Sequence, residues 1–254
     1  MSALMQSRTS IIALVGNPNC GKTALFNRLT GARQKVANYA GVTVERKEGS
    51  FVSPRGRTWR VLDLPGAYSL NATTPDEAIT RDVVMGARAD ETPPEGIVCV
   101  ADATNLGLNL RMALELKRLG KPMVLALNMS DVAKKRGLSI DLDKLSRALG
   151  MPVVETVAVR AGGVEELLNV LDQLDLQHVA PPATLMMTPA EMHAEVAQLM
   201  RQCVDTSAVY VNRSEKIDAV VLHPVFGLML LAALMFLIFQ AVFSWAQLPM
   251  DAIK

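Results

Sequence analysis

The sequence predicts an α/β fold: a mostly parallel sheet with helices on both faces, then a short helical extension and one apolar C-terminal helix. Three observations predict it. Over the first ~175 residues, short β-branched runs alternate with segments of helical period, as βαβ units do. A glycine-bearing loop, Gly16–Thr23, stands between the first strand and the first helix. From Val225 to Phe243 the chain carries no charge and a single glutamine.

The elements follow in order. Strands are expected at Ser10–Val15, Arg46–Ser53, Thr58–Leu64, Gly96–Asp102, Pro122–Asn128 and Pro152–Ala158. Helices are expected at Lys22–Thr30, Pro75–Met85, Leu106–Leu119, Asp141–Leu149 and Val164–Leu174. Pro54–Arg57 has hairpin turn chemistry, which makes the second strand antiparallel to the third. A Pro-Pro pair within Ala180–Ala183 reads as a linker. Thr188 then serves as N-cap, Pro189 as first helical residue and Glu191 as capping-box partner of a helix ending near Cys203. The expected organisation is a nucleotide-type domain over 1–178, a helical linker or regulatory segment over 179–221, a transmembrane helix over 222–246 and a tail over 247–254. At 1.5 Å per residue the apolar run is roughly as long as the ~30 Å hydrocarbon core. Arg213 and Lys216 precede it and Trp245 follows where an interfacial anchor would sit, so the large N-terminal part is expected on the cytoplasmic side.

Composition narrows the function. With 26 basic and 25 acidic residues the formal charge is +1, so nothing marks a nucleic-acid partner. Cys20, Cys99 and Cys203 are scattered, which suggests neither a disulfide frame nor a zinc site. The polar start Met1–Ser10 and the short apolar run Ile11–Val15 do not make a signal peptide. His178, His193 and His223 are isolated, and no Fe²⁺ site is visible. His223, just before Pro224, reads as a helix-entry residue.

Gly16-Asn17-Pro18-Asn19-Cys20-Gly21-Lys22-Thr23 matches GxxxxGK[ST] between a strand and a helix. Glycines let backbone amides close around phosphate oxygens, and the helix N-terminus, from Lys22 through Ala24, adds its dipole. Lys22 would reach the β and γ phosphates, and the Thr23 hydroxyl would bind Mg²⁺. Asp63-Leu64-Pro65-Gly66, at a strand end, puts a carboxylate beside that Mg²⁺ and the Gly66 amide beside the γ phosphate. Asn128-Met129-Ser130-Asp131 follows another strand. Asp131 can accept two hydrogen bonds from guanine N1–H and N2–H₂, which adenine lacks; Asn128 would bridge the base edge and the loop. Met129 replaces a lysine stem as apolar cover, and a backbone amide of Val157-Ala158-Val159 would meet guanine O6. Between the first two motifs, Asn38–Thr43 reads as a loop, with Thr43 completing the Mg²⁺ shell when a γ phosphate is present; Thr30 is the competing threonine. The motifs specify a P-loop GTPase of the Ras-like kind, with Lys22, Thr43 and Gly66 at the reacting phosphate. Ala67 stands where Ras-like enzymes carry a water-orienting glutamine, so turnover should be slow. Arg33 and Arg46 flank the switch and read as solvated.

Together these residues resemble the N-terminal GTPase domain of the bacterial ferrous-iron transport protein B (FeoB) family. The likeness rests on Gly16–Gly31, Asn38–Gly49, Asp63–Leu70 and Asn128–Asp131, with Lys216–Gly227 similar to the family's entry into its first membrane helix. It implies K⁺-activated GTP hydrolysis that gates or regulates Fe²⁺ uptake, with K⁺ held by Asn19 and switch-loop carbonyls; a plain Asx hydrogen bond is the alternative role for Asn19. It implies GTP/GDP, Mg²⁺ and K⁺ as ligands and cofactors, the bacterial inner membrane as location, and a permease portion outside this sequence as partner, with a homo-oligomer left open. The chain departs from the family in Tyr39 and Ala40, where many relatives have Trp and Pro, and in its short helical segment. It reads as the N-terminal piece of a larger transporter. Two other readings are a GTP-switched, membrane-tethered scaffold and a soluble GTPase of the Era or MnmE type; the latter would need an RNA-binding domain.

Overall fold

The computed structural model describes residues 9–31, 34–177, 187–205 and 221–242. Two compact units divide the chain, residues 1–208 and residues 209–254. In the first, β1 is Ser10–Gly16, α1 Lys22–Thr30, β2 Gln34–Asn38, β3 Glu45–Val52, β4 Thr58–Asp63 and α2 Pro75–Met85. After them come β5 Gly96–Asp102, α3 Leu106–Lys117, β6 Met123–Asn128, α4 Ser130–Lys135, β7 Ser139–Ile140 and α5 Leu142–Leu149. The unit closes with β8 Val153–Glu155, α6 Glu165–Gln173, α7 Pro189–Cys203 and β9 Val204–Asp205.

Seven strands form one sheet in the order β2-β3-β4-β1-β5-β6-β8. Only β3 runs against its neighbours, as the hairpin reading requires: Gly56, at φ +83°, donates to Ser53 O at 2.9 Å, and Ser53 donates to Arg57 O at 2.9 Å. β2 is an addition, since Gln34–Asn38 carries no buried face and so gave no strand pattern. Its backbone pairs with β3 from Gln34 opposite Gly49 to Asn38 opposite Glu45.

Strand β1 shows why both faces need helices. Ile11, Ala13 and Val15 pack into one core with Ile79 and Val83 of α2 and Leu110 and Leu114 of α3, while Ile12 and Leu14 pack into the other with Leu25 and Phe26 of α1 and Leu167 and Leu171 of α6. The alternation is the period-two geometry of a strand buried on both sides.

α7 begins with the expected capping box, Glu191 N–H donating to Thr188 Oγ1 at 3.3 Å and Thr188 N–H to Glu191 Oε2 at 2.7 Å. Met192, Leu199 and Cys203 of α7 join the core that holds α3 and α5, and β9 pairs with β7. A segment too short to bury a core of its own thus borrows the neighbouring one, and the compact unit runs past the expected boundary at 178 to residue 208. The Pro-Pro linker and residues 206–220 lie outside the described residues.

In the second unit, α8 is Phe226–Gln240. His223 accepts at Nδ1 from the amides of Val225 and Phe226, at 3.2 and 3.3 Å, and its ring lies 4.9 Å from that of Phe226. It is a helix-entry residue, as its place before Pro224 suggested. Among the described residues no helix is long and apolar enough to cross a membrane. The described helix has 15 residues, shorter than the 222–246 segment expected to span; residues from 243 onward, including Trp245, lie outside the description.

Candidate functional site

The loop from β1 to α1 is shaped by close approach. A Cβ on Gly16 would lie 2.3 Å from the Val100 carbonyl oxygen, and one on Gly21 2.2 Å from Asn128 Nδ2. Asn19 and Gly21 both take the left-handed conformation, at φ +64° and +83°, which asparagine tolerates and glycine adopts freely. No side chain caps α1, and its first bond runs from Leu25 N–H to Gly21 O at 3.0 Å. The amides of Thr23 and Ala24 ahead of it have no acceptor among the described residues, so the helix end presents donors and a positive dipole. They line a cavity of about 510 Å³ with Asn17, Pro18, Asn19, Gly21, Lys22 and Gly66. Cys20 turns inward: its thiol is buried and desolvation pushes its pKa up to about 11. Asn17 is also buried and donates to Leu108 O at 3.3 Å.

Lys22, Thr23 and Asp63 meet in one place. Lys22 Nζ lies 2.5 Å from Asp63 Oδ1, and Thr23 Oγ1 donates to Asp63 Oδ2 at 3.4 Å. Thr43 is exposed but shares with these three a cavity of about 420 Å³. Hydroxyl and carboxylate oxygens are the donor set a hard Mg²⁺ ion takes. Thr30, the competing threonine, is buried and bonds Phe26 O at 2.7 Å within its own helix. Asn19 is exposed, and among the described residues its side chain makes no hydrogen bond. Gly66 packs on the loop so closely that a Cβ would meet Pro18 N at 3.0 Å. Ala67 is fully buried, its amide donating to Gly16 O at 3.2 Å.

The switch turn is pinned at both ends. Tyr39 N–H donates to Val44 O at 3.0 Å and Val42 N–H to Tyr39 O at 3.3 Å. The Tyr39 ring is buried, with the Arg88 guanidinium 5.4 Å from its centre, and Arg88 also donates to Ala40 O at 3.2 Å. On the far side Arg46 grips Glu91 in a bidentate pair at 2.5 and 2.9 Å and Glu48 at 2.7 Å, while Arg60 bridges the same two carboxylates. Arg46 is therefore not a solvated residue, as its place in the sequence suggested; the burial of Glu91 requires a paired cation. Arg33 lies outside the described residues. After Gly66 the chain is held by two carboxylates: Glu77 accepts from the amides of Tyr68 and Thr73, and Glu115 from Ser69 Oγ and Leu70 N–H.

At the base end Asn128 is a hub. Its Nδ2 donates to Cys20 O at 3.0 Å, and its Oδ1 accepts from Ala158 N–H at 3.1 Å and Thr156 Oγ1 at 3.5 Å. Asp131 is half-buried, and Arg160 holds its Oδ2 at 3.0 Å. Met129, at φ +59°, puts its Cε 3.4 Å from where a Gly21 Cβ would stand, along the phosphate loop. Of the three amides proposed for O6, that of Val157 donates to Gly163 O and that of Ala158 to Asn128. Val159, 78% exposed, retains an amide with no acceptor among the described residues. The structure thus gathers the residues of all three motifs at the C-terminal ends of β1, β4 and β6, where open α/β sheets bind ligands. Sequence reasoning missed Arg28, Glu91 and Glu115; their partners lie 130, 45 and 46 residues away, beyond the reach of any local pattern.

Comparison with known proteins accords with this geometry. A family model described as Ferrous iron transport protein B matches residues 10–171. The Fe(2+) transporter FeoB of Salmonella typhimurium is 46% identical over 181 residues, 67% of this chain and 23% of that protein. The cytosolic domain of L. pneumophila FeoB is similar at a TM-score of 0.68 and 30% identity, over 78% of this chain and 100% of that one. The cytosolic domain of the T. maritima FeoB iron transporter, in its GMPPNP form, gives 0.66 and 28% over the same shares. The chain spans about a quarter of the curated relatives it matches, 23% of their length.

Proposed function

The chain belongs to the ferrous iron transport protein B family, and on that premise we propose that it binds GTP, hydrolyses it, and so regulates or gates Fe²⁺ passage through a membrane permease. One observation carries the nucleotide reading: Lys22, Thr23 and Asp63 converge beneath a helix end whose amides face an open cavity. A γ phosphate draws Lys22 from Asp63, and Asp63, Thr23 and Thr43 would hold Mg²⁺, which offsets charge on the phosphoryl oxygens. Asp131 selects guanine through N1–H and N2–H₂, sharing its Oδ2 with Arg160 or displacing it, and the Val159 amide meets O6. GMPPNP and GDP in the relatives' solved forms support this ligand class.

The lining of the phosphate cavities includes no arginine, and Arg46 is committed to Glu91. The cations in that lining are Lys22 and Lys47, so no arginine finger comes from these residues, and K⁺ at Asn19 would add the charge such a finger supplies. The membrane tether rests on α8, 15 residues without a charge, continued in sequence by further apolar residues; at the bacterial inner membrane, the compact unit faces the cytoplasm. A second reading, a GTP-switched scaffold with incidental hydrolysis, is favoured by Ala67, which offers no group to orient water.

Turnover of GTP measured in K⁺ and in Na⁺ tests both. Faster hydrolysis in K⁺ is expected. Equal rates would remove the cation from Asn19, and bound GTP with no turnover in either salt would favour the scaffold.

A further inference from the structure

The base-side loop that follows β8 is closed on itself: Val157 N–H donates to Gly163 O at 2.9 Å, Arg160 N–H to Val157 O at 2.9 Å and Gly163 N–H to Arg160 O at 3.2 Å. Gly163 is confined to glycine, since a Cβ there would lie 2.1 Å from the Val157 carbonyl oxygen. Such a loop moves as a unit, so what matters is where it is fastened. Asn128 fastens it through the Ala158 amide. Arg28, two turns along the helix that begins with Lys22, fastens it from the other side, Nε donating to Ala158 O and Nη2 to Val159 O, both at 3.1 Å.

Arg28 lies in the last turn of α1, where a cation needs no further explanation than the helix dipole. The geometry is more specific than that. Two nitrogens of one planar group meet two consecutive carbonyls of a distant segment, a fork a lysine cannot reproduce. The peptide units on both sides of Val159 are thereby fixed, one through each carbonyl, and the Val159 amide is the one left unpaired. We propose that Arg28 is a positioning residue for base recognition: by holding the Ala158 and Val159 carbonyls it sets the amide of Val159 for the ring carbonyl oxygen of guanine. The same fork ties base recognition to the phosphate-binding helix, closing a ring from Cys20 through Asn128 and Ala158 to Arg28.

This rests on the guanine reading above, and the test separates the two. Affinities and release rates of GDP, IDP and 6-thio-GDP are measured for the full chain and for Arg28→Ala and Arg28→Lys. IDP lacks the amine that Asp131 reads; 6-thio-GDP replaces the ring oxygen by a poorer acceptor and leaves the Asp131 edge intact. A wild-type chain that fails to distinguish GDP from ADP would end the guanine reading itself. Given that distinction, Arg28→Ala should weaken GDP about tenfold, mainly by faster release. The preference for GDP over 6-thio-GDP should shrink while that over IDP stays at its wild-type value. Arg28→Lys, able to hold one carbonyl, should fall between, which guards against a misfolded alanine variant. An unchanged 6-thio-GDP preference in both variants, or equal loss for all three nucleotides, overturns the proposal.

Discussion

At the base end, Asn128 joins Cys20 and Ala158 through neutral hydrogen bonds of 3.0 and 3.1 Å inside the protein; at the switch end, Arg46, Arg60 and Arg88 hold Glu48, Glu91 and Asp90 through ion pairs. The base end adds one exposed ion pair, Arg160 with Asp131, to these neutral bonds, whereas the switch end relies on charge throughout. Buried neutral bonds ignore salt and pH across the ordinary range. The ion pairs of Arg46 are mostly buried, with Glu91 at 4% side-chain exposure, so salt screens them less than it would a surface pair.

Mutations can break or sharpen this contrast. The largest effect is expected at the phosphate loop that lies between the two ends: Lys22→Ala should lower GDP and GTP affinity about a hundredfold or more, read by fluorescence titration. It also leaves the buried Asp63 carboxylate without its cation, so the melting temperature should fall too. Retained micromolar affinity would remove the phosphate loop from the site. Asp131→Asn acts on the base end alone. GTP binding should drop by about tenfold or more while xanthine nucleotide binding rises, because an amide then meets the base edge; unchanged preference would exclude Asp131.

Glu91→Gln acts on the switch end. Arg46 loses one of its two charged partners and keeps Glu48, and stability should fall by about 1–3 kcal/mol in chemical denaturation. The GDP-over-ADP preference should be untouched. A changed base preference would show that the two ends are not separable.

The smallest effect concerns the loop after Gly66. The Thr73 amide and hydroxyl, and behind them the Tyr68 amide, hold the Glu77 carboxyl below its ordinary value, against the opposing effect of burial. A depressed carboxylate stabilises fully above its unfolded pKa of roughly 4.3 and ceases to do so as pH falls through the lower folded value. Hydrogen exchange of residues 68–73 should be insensitive to Glu77 between about pH 7 and 5 and loosen only below about pH 4. Glu77→Gln should remove that acid step; an acid step that persists would assign it to another carboxylate.

Most of the fold could be read from the sequence because its signals are local. Strand β1 is a continuous apolar run, α1 and α7 carry their own start signals, and the hairpin turn announces itself through Gly56. The strand Gln34–Asn38 could not be read, since an exposed edge strand is defined by its partner's backbone and carries no periodic face. Within the site, Lys22, Asp63 and Asn128 were legible because phosphate and base chemistry fix their spacing. Arg46 was misread for the opposite reason. Its role is set by Glu91, and nothing in the residues around either one names the other. Arg28 and Glu115 share that condition. Their side chains are ordinary helix-surface residues until the fold brings a loop against them.

Ala67 has a consequence for anyone who would redesign the rate. The methyl group points into close-packed interior while its amide is anchored on Gly16, so a glutamine grafted there would overfill the core before it could touch solvent. Acceleration cannot be installed from beneath. It has to come in over the open rim formed by Pro18, Asn19 and Thr43, which leaves the pace of the clock to whatever is dissolved, or docked, on the outside.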